Sequence, residues 1–205
     1  MTFFKGTKQG FSAGVPLKEQ TSAFADGKAF DMAVLMATGN LVDWDRDGDL
    51  DLVVGNVRGG VFLNLNEGTA KQSKFGERVA IKAAGEIMKV AGKSDPWPCD
   101  WDGDGIIDLL VASEAGDVTF FRGSAEGGFL RGVSLLTGHE HDPSHSYKQA
   151  RERLGEDRVV PGYRFRLATA DWNKDGKLDL LVGNCVKGED GKTTGHVYLL
   201  LRQGG

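Results

Sequence analysis

Three acidic stretches decide the fold of this chain: DWDRDGDLD at residues 43–51, DWDGDGIID at 100–108 and DWNKDGKLD at 171–179. They share the pattern D-W-[DN]-x-D-G-x-x-D, and an apolar run follows each of them directly. We call them loops one, two and three and number their positions 1 to 9. Carboxylates packed this densely repel one another unless a cation lies among them. The sequence therefore predicts one cation site in each loop.

The spacing of oxygen atoms within the loops is typical of a site for calcium. Positions 1, 3 and 5 carry side-chain oxygens, position 6 is a glycine at a sharp turn, position 7 offers its carbonyl, and position 9 closes the shell. The predicted calcium ligands are Asp43, Asp45, Asp47, Asp49 and Asp51 in loop one, Asp100, Asp102, Asp104, Ile106 and Asp108 in loop two, and Asp171, Asn173, Asp175, Lys177 and Asp179 in loop three. At position 7, Asp49 is expected to act through its carbonyl, as Ile106 and Lys177 must.

Two alternative interpretations of the loops are weaker. An EF-hand needs a bidentate glutamate at position 12 and then a helix, but position 12 is Val54, Val111 or Val182. Acidic hairpin turns without metal are also conceivable, because Asp and Gly are common in turns. Turns do not require so many carboxylates, so calcium is favoured. Loop three has one carboxylate fewer than loop two and is expected to bind calcium most weakly.

The loops belong to a longer repeat that predicts an all-β fold. Each apolar run leads through a glycine-rich turn to an alternating strand, the pattern of an antiparallel hairpin. The first aspartates of the loops are 57 and then 71 residues apart. A repeat of this length, with about four strands, predicts the blades of a β-propeller. The strands that flank the turns are expected at 50–55 and 61–66, 107–112 and 118–122, and 178–183 and 196–202, with a further strand at 163–170.

The boundaries of the predicted blades divide the chain into four parts. Residues 1–27 would end a preceding blade, 28–85 and 86–137 would form two blades, and 138–205 would hold an insertion followed by a third blade. The pattern of the insertion, at 138–155, predicts a short surface helix. Residues 2–7 repeat residues 119–124 almost position for position. We therefore expect a chain that begins and ends within blades, belonging to a longer propeller or completed by another chain.

Composition excludes several classes of protein. The formal net charge is −4, and the loops alone carry five, four and three carboxylates, so the acidity belongs to the predicted metal sites. No basic aromatic cluster indicates nucleic-acid binding, and no apolar run approaches the roughly 20 residues of a spanning helix. The N-terminus lacks the pattern of a signal peptide. Cys99 and Cys185 are expected as free thiols, although a disulfide between them stays open.

Aromatic and histidine residues are the other candidates for function. The position-2 tryptophans, Trp44, Trp101 and Trp172, recur in every loop, which favours packing between blades over sugar stacking. Trp97 does not recur and is the better candidate for a ligand contact. The histidines at 139, 141 and 145 could bind zinc, but no clear fourth ligand accompanies them. A solvated loop is therefore the favoured interpretation. No nucleophile motif, P-loop or dinucleotide fingerprint is present.

The three loops, with their shared tryptophan, closing aspartate and following strand, resemble the calcium loops of FG-GAP/VCBS-type repeats. This family includes the β-propeller of integrin α-subunits and many bacterial extracellular proteins. The Phe75-Gly76 landmark is present, but no Gly-Ala-Pro occurs, which favours the VCBS-like branch. The resemblance implies up to three calcium ions in a non-enzymatic, extracellular or periplasmic propeller for adhesion, carbohydrate or protein recognition. The alternative is an ancillary or catalytic propeller domain of a polysaccharide lyase or other glycan-degrading enzyme.

Overall fold

The computed structural model describes residues 38–137, 162–187 and 190–203 of the chain, together with four two-residue strands near the N-terminus. Every element within these residues is a β-strand, and all the paired strands run antiparallel, which confirms the all-β prediction. The predicted helix at 138–155 lies outside the described residues, as do the three histidines. In the described part of the chain, no helix has the length and apolar character needed to cross a membrane.

Three main sheets follow one another along the chain. Sheet one has the order β5-β6-β7-β8, sheet two β11-β12-β13-β14, and sheet three β15-β16-β17. The strand bounds are β5 Thr38–Val42, β6 Asp51–Gly55, β7 Val61–Asn64, β8 Val79–Ala80, β11 Ser94–Cys99, β12 Asp108–Ser113, β13 Val118–Phe121, β14 Val133–Leu136, β15 Tyr163–Ala170, β16 Asp179–Lys187 and β17 Thr193–Leu200. Loops one, two and three thus connect the first strand of each sheet to its second strand.

The short N-terminal strands reproduce the outer hairpin of a main sheet. They are β1 Thr2–Phe3, β2 Gly6–Thr7, β3 Gly10–Phe11 and β4 Val15–Pro16. Phe3 pairs with Val15, as Phe120 pairs with Val133 in sheet two. Gly6 pairs with Phe11, as Gly123 pairs with Phe129. The predicted correspondence between residues 2–7 and 119–124 is therefore confirmed at the level of strand register.

The structure differs from the sequence prediction in two details. The hairpin of sheet three is longer than expected, because β16 and β17 pair all the way from Leu180↔Leu200 to Lys187↔Thr193. The connection between the strands predicted at 178–183 and 196–202 is correspondingly shortened. A small hairpin of β9 (Lys82–Ala83) and β10 (Glu86–Ile87) was not predicted. Its turn places Ala84 and Gly85 at positive φ, a local conformation that the hydrophobic pattern does not encode.

Two hydrophobic cores hold the three sheets together. We call the face of each sheet that carries Leu52, Leu109 or Leu180 its front, and the opposite face, which carries Val53, Leu110 or Leu181, its back. The back of sheet one packs on the front of sheet two through buried Val53, Val61, Leu109 and Val111. The back of sheet two packs on the front of sheet three in the same way, through Leu110, Val118, Leu180 and Val182.

The first strands of neighbouring sheets lie side by side. The Thr38 hydroxyl donates to the Ser94 carbonyl at 2.9 Å, and the Asn40 amide donates to the Pro96 carbonyl at 2.7 Å. Gly55 lies so close to this strand that a Cβ on it would be 2.3 Å from the Ser94 carbonyl oxygen. Strand β11 pairs only with β12, so Pro96 and Pro98, which lack an N–H, are tolerated at the edge of the sheet. The sheets therefore converge at their first strands.

Candidate metal centre

The three acidic loops lie next to one another along one rim of the sheets. The Arg46 guanidinium of loop one donates a hydrogen bond to the Gly105 carbonyl of loop two. Arg202, which follows β17 in sheet three, donates to the Trp101 carbonyl and lies over the Trp101 ring, 5.0 Å from its centroid. Loop one thus contacts loop two directly, and loop two contacts the residue that follows the last strand of sheet three.

The same internal hydrogen bonds shape each loop. The position-1 carboxylate accepts a bond from the N–H of the position-6 glycine, as Asp100 does from Gly105 at 2.9 Å and Asp171 from Gly176 at 3.0 Å. The position-6 glycines all have φ between +82° and +92°, a region that glycine enters without the usual steric cost. Position 4 is also left-handed, although two loops carry Arg46 and Lys174 there. This second turn is not evident from the sequence, because Arg46 and Lys174 are not residues that usually adopt positive φ.

The position-9 aspartates have a structural role that the sequence analysis did not predict. We call Asp51, Asp108 and Asp179 the carboxylate clips. One oxygen of Asp51 accepts the Trp44 N–H at 2.8 Å, and the other accepts the Asn66 N–H, beyond β7, at 2.7 Å. Asp108 and Asp179 make the equivalent bonds in sheets two and three, and all three clips are buried. Each clip fastens the start of a loop to the end of the third strand.

The fold brings three carboxylates together in each of loops one and two. Ligand oxygens of Asp43, Asp45 and Asp51 lie within 4.8 Å of one another, as do those of Asp100, Asp102 and Asp108. These are positions 1, 3 and 9 of the predicted ligand set. Burial raises the pKa of Asp108, while backbone hydrogen bonds from Gly123 and Trp101 oppose that rise. The close approach of acidic oxygens predicted for both loops is therefore present.

Loop one also contains buried oxygens without a hydrogen-bond partner. Oδ1 of Asp43 and Oδ1 of Asp49 are both in this state. A buried carboxylate oxygen without a donor is costly, and a cation would satisfy it. Burial raises the pKa of Asp49, and the carboxylate of Asp47 raises it further. The residues of loop one therefore fit a cation.

The environment of Asp49 differs from the sequence prediction. We expected only its carbonyl to matter, by analogy with Ile106 and Lys177, but its side chain is buried among the other carboxylates. A hydrogen bond from the Asn66 side chain lowers its pKa in opposition to that burial. The signal was available in the sequence, because loop one alone carries an acid at position 7.

Position 5 and loop three are arranged differently from the two triads. Asp104 and Asp175 each accept the N–H of position 7 at 2.9 Å, which forms the turn. In loop three the Asn173 amide donates to Asp175 at 3.0 Å, and this bond is the main cause of the lowered pKa of Asp175. The roles of Asp47, of the position-7 carbonyls and of loop three as calcium ligands stay predictions, as does the order of affinities.

A cation from the protein itself already lies at loop two. Nε of Arg122 is 2.6 Å from Oδ2 of Asp102, and its Nη2 is 3.0 Å from Oδ2 of Asp104. The hydrogen bond to Asp104 and the charge of Asp102 raise the pKa of Arg122. Sheets one and three have Leu65 and Leu201 at the equivalent position. Arg122 is not part of the loop pattern, because it lies 14 residues beyond the loop in the sequence.

Replacing Arg122 with methionine is expected to raise the calcium affinity of loop two roughly 1.4- to 5-fold, since an exposed ion pair contributes about 0.2–1 kcal/mol. The variant frees two carboxylates and removes a positive charge that repels the incoming ion. Calorimetric titration with calcium measures the change. Arg58→Met, at an exposed arginine in the β6–β7 turn, serves as the control. An unchanged or weakened affinity in Arg122→Met would contradict the prediction.

The other residues singled out in the sequence take structural roles. Trp44 and Trp101 pack against the two cores, as predicted, whereas Trp172 is exposed. Trp97, the better candidate for a ligand contact, packs against the core between sheets two and three and donates to the Thr169 hydroxyl at 3.0 Å. Cys99 and Cys185 are both free thiols. Burial raises the pKa of Cys99 to about 12.

The fold and the loops define a class of protein: a repeated antiparallel β-sheet structure with an acidic loop in every repeat. Residues 100–182 of the chain match the family model described as FG-GAP-like repeat. The match runs from the first aspartate of loop two to the second strand of sheet three, and it confirms the resemblance over these residues. A comparison with curated proteins finds no match.

Proposed function

We propose that this protein is a calcium-binding, non-enzymatic β-propeller module that recognises an extracellular ligand, either a glycan or another protein. The observation that carries the proposal is the pair of aspartate triads, each with ligand oxygens within 4.8 Å of one another. Calcium is favoured because every group in the triads is an oxygen ligand, which suits a hard cation. The bound ion would supply positive charge that neutralises the carboxylates and fixes the loop conformations.

The arrangement of the sheets supports the propeller. Each back face packs on the next front face, and the first strands converge through Thr38, Asn40 and their partners in β11. Blades that radiate from a centre have this relationship. We infer that the three sheets are consecutive blades and that further sheets complete the ring. Those further sheets would be formed by additional repeats or by another chain.

The calcium-bearing rim is the proposed recognition surface. A cleft of about 190 Å³ lies there between loop one and sheet two, and its walls include Trp44, Arg46, Ile106 and Phe129. The rings of Trp44 and Phe129 lie 5.8 Å apart. Because loop one supplies Arg46, calcium bound in that loop would set the shape of the cleft. Extracellular calcium modules bind the ion in the range of about 0.1–1 mM, which fits the proposed location outside the cell.

A glycan array probed with and without a chelator tests this function. We expect the protein to bind glycans in the presence of calcium and to lose this binding in chelator. Without the ion, the carboxylates within each loop repel one another, and the loops no longer hold the shape of the rim. Asp45→Ala, which removes one triad carboxylate, should weaken binding, whereas Lys71→Ala, at an exposed residue distant from the loops in sequence, should not. Shortened glycans released from the array would instead favour the polysaccharide lyase.

A further inference from the structure

A buried lysine, Lys93, lies directly before β11, at the end of that strand farthest from loop two. Only 8% of Lys93 is exposed, and among the described residues its ammonium forms neither a hydrogen bond nor an ion pair. Burial lowers the pKa of Lys93, and the charge of Arg166 lowers it further. Lysine is almost never buried to this extent unless it is paired, because an unpaired buried charge is costly. The ammonium is therefore suited to an anionic partner supplied by a ligand.

Four other charged side chains, at the junction of sheets two and three, act on the charge of Lys93: Arg166, Asp95, Glu114 and Arg164. Nη1 of Arg166 lies 3.7 Å from Oδ2 of Asp95, and Nε of Arg164 lies 3.7 Å from Oε1 of Glu114. Each carboxylate thus already has an arginine beside it, at a distance longer than a hydrogen bond. Three cations face two carboxylates, so the described residues leave one positive charge in excess. We call Lys93, Arg164 and Arg166 the cationic corner.

The backbone of β15 is irregular where it carries the two arginines. Its register with β16 shifts between Tyr163 and Arg166, and Arg164 has a φ of +58°, a region that few residues other than glycine adopt. A bulge of this kind redirects a side chain out of the regular alternation of a strand. The side chains of Arg164 and Arg166 are 54% and 47% exposed, and the deeper Lys93 ammonium is not sealed from solvent. All three cations are therefore accessible to a ligand.

We propose that the cationic corner binds an oxyanion of a ligand, a carboxylate or a sulfate group, which accepts hydrogen bonds from Lys93 and from the arginines. Hydrogen bonds between a cationic donor and an oxyanion are short and strong. The planar fork of a guanidinium also matches two oxygens of such a group. Because the Lys93 ammonium has no partner among the described residues, the ligand would displace none, and its charge would balance the excess positive charge.

The cationic corner is separate from the calcium loops. Strand β11, Ser94–Cys99, runs between the corner and loop two, and six residues at about 3.3 Å each span roughly 20 Å. This separation exceeds the Debye length of about 8 Å at physiological ionic strength, so a calcium ion in loop two is largely screened from the corner. The proposal therefore does not rest on the function proposed for the calcium-bearing rim, and a failure of the metal sites would leave it intact.

NMR titration of the backbone amides with sodium acetate and with sodium sulfate, at an ionic strength held constant by sodium chloride, tests the oxyanion site. The wild type should bind at least one of the two anions, with shifts at Lys93 and Arg166. Lys93→Met should bind it about 10-fold more weakly or worse, because a hydrogen bond to a charged group is lost. Lys82→Met is the control, at an exposed lysine whose hairpin contacts Phe129 beside the loop-one cleft.

The outcomes of the titration also identify the ligand group. Tighter binding of acetate would identify a carboxylate as the natural ligand group, and tighter binding of sulfate would identify a sulfate. Failure of the wild type to bind either anion would overturn the proposal. Equal binding by the wild type and Lys93→Met would overturn it as well.

Denaturant unfolding distinguishes a lysine that binds a ligand from one that only holds the fold. In buffer without carboxylate or sulfate, Lys93→Met should be at least as stable as the wild type. The substitution removes a buried charge that lacks a partner and keeps the apolar stem of the side chain. A clear loss of stability in Lys93→Met would show that the ammonium serves Asp95 and Glu114 within the chain, and it would overturn the proposal.

Discussion

Chelation of calcium is expected to lower the midpoint of thermal unfolding by roughly 10–20 °C. A ligand present at 100 times its dissociation constant stabilises the native state by about 2.7 kcal/mol per site. Two occupied triads would thus contribute about 5 kcal/mol, and in a chain of this size each kcal/mol shifts the midpoint by roughly 2–4 °C. The triads of Asp43 and Asp100 carry the effect, because their carboxylates repel one another in the absence of the ion.

Circular-dichroism melting in chelator and in calcium at about 10–100 mM, which is about 100 times the expected dissociation constant, measures this difference. Magnesium at the same concentration is the control for ionic strength, since it demands a smaller octahedral shell and gives up its water reluctantly. We expect it to recover only a small part of the calcium effect. An identical midpoint in calcium and in chelator would refute the metal sites. An equal effect of magnesium would refute their selectivity.

Asp51→Ala is expected to cost roughly 2–6 kcal/mol of folding free energy, with or without calcium. The substitution leaves the N–H groups of Trp44 and Asn66 without their acceptor, and each unsatisfied buried donor costs about 1–3 kcal/mol. Asp45→Ala lies in the same triad, but the Asp45 side chain is exposed. Its removal should therefore matter only when calcium is present.

Denaturant unfolding of both variants in calcium and in chelator separates the two roles. In chelator, Asp51→Ala should be much less stable than the wild type, whereas Asp45→Ala should equal or exceed wild-type stability because it relieves repulsion. In calcium, both variants should be less stable. If Asp51→Ala lost stability only in calcium, the carboxylate clip would have no structural role and position 9 would act through the metal alone.

The sequence predicted the parts of the molecule that recur. Three copies of one pattern indicated the second and third strands of each sheet, the outer hairpin at the N-terminus and the close carboxylates of loops one and two. Periodicity averages over copies, so a feature that all copies share becomes visible even when one copy alone would be ambiguous.

The features that the sequence did not predict depend on contacts between distant residues or on differences between copies. Arg122 reaches Asp104 from the far end of a hairpin, and Trp97 meets Thr169 of another sheet. No local pattern encodes either contact. The exposure of Trp172 is not evident from the pattern, because Trp172 holds the same loop position as the half-buried Trp44 and Trp101 and differs from them in what packs against it. The hydrogen-bonding role of the carboxylate clips was not predicted, because an aspartate at the end of a metal-binding pattern is interpreted as a metal ligand.

The clips also bear on how such a chain can evolve. Each clip forms its bonds within its own repeat, and the clip of Asp51 joins residues only as far apart as Trp44 and Asn66. Duplicating a repeat therefore duplicates everything that fastens its loop to its sheet. The residues between the end of one third strand and the start of the next loop take no part in these bonds, and the intervals between successive loops differ, at 57 and 71 residues. Insertions can accumulate between repeats, and a gene can gain or lose whole repeats, without disturbing the acidic loops that remain.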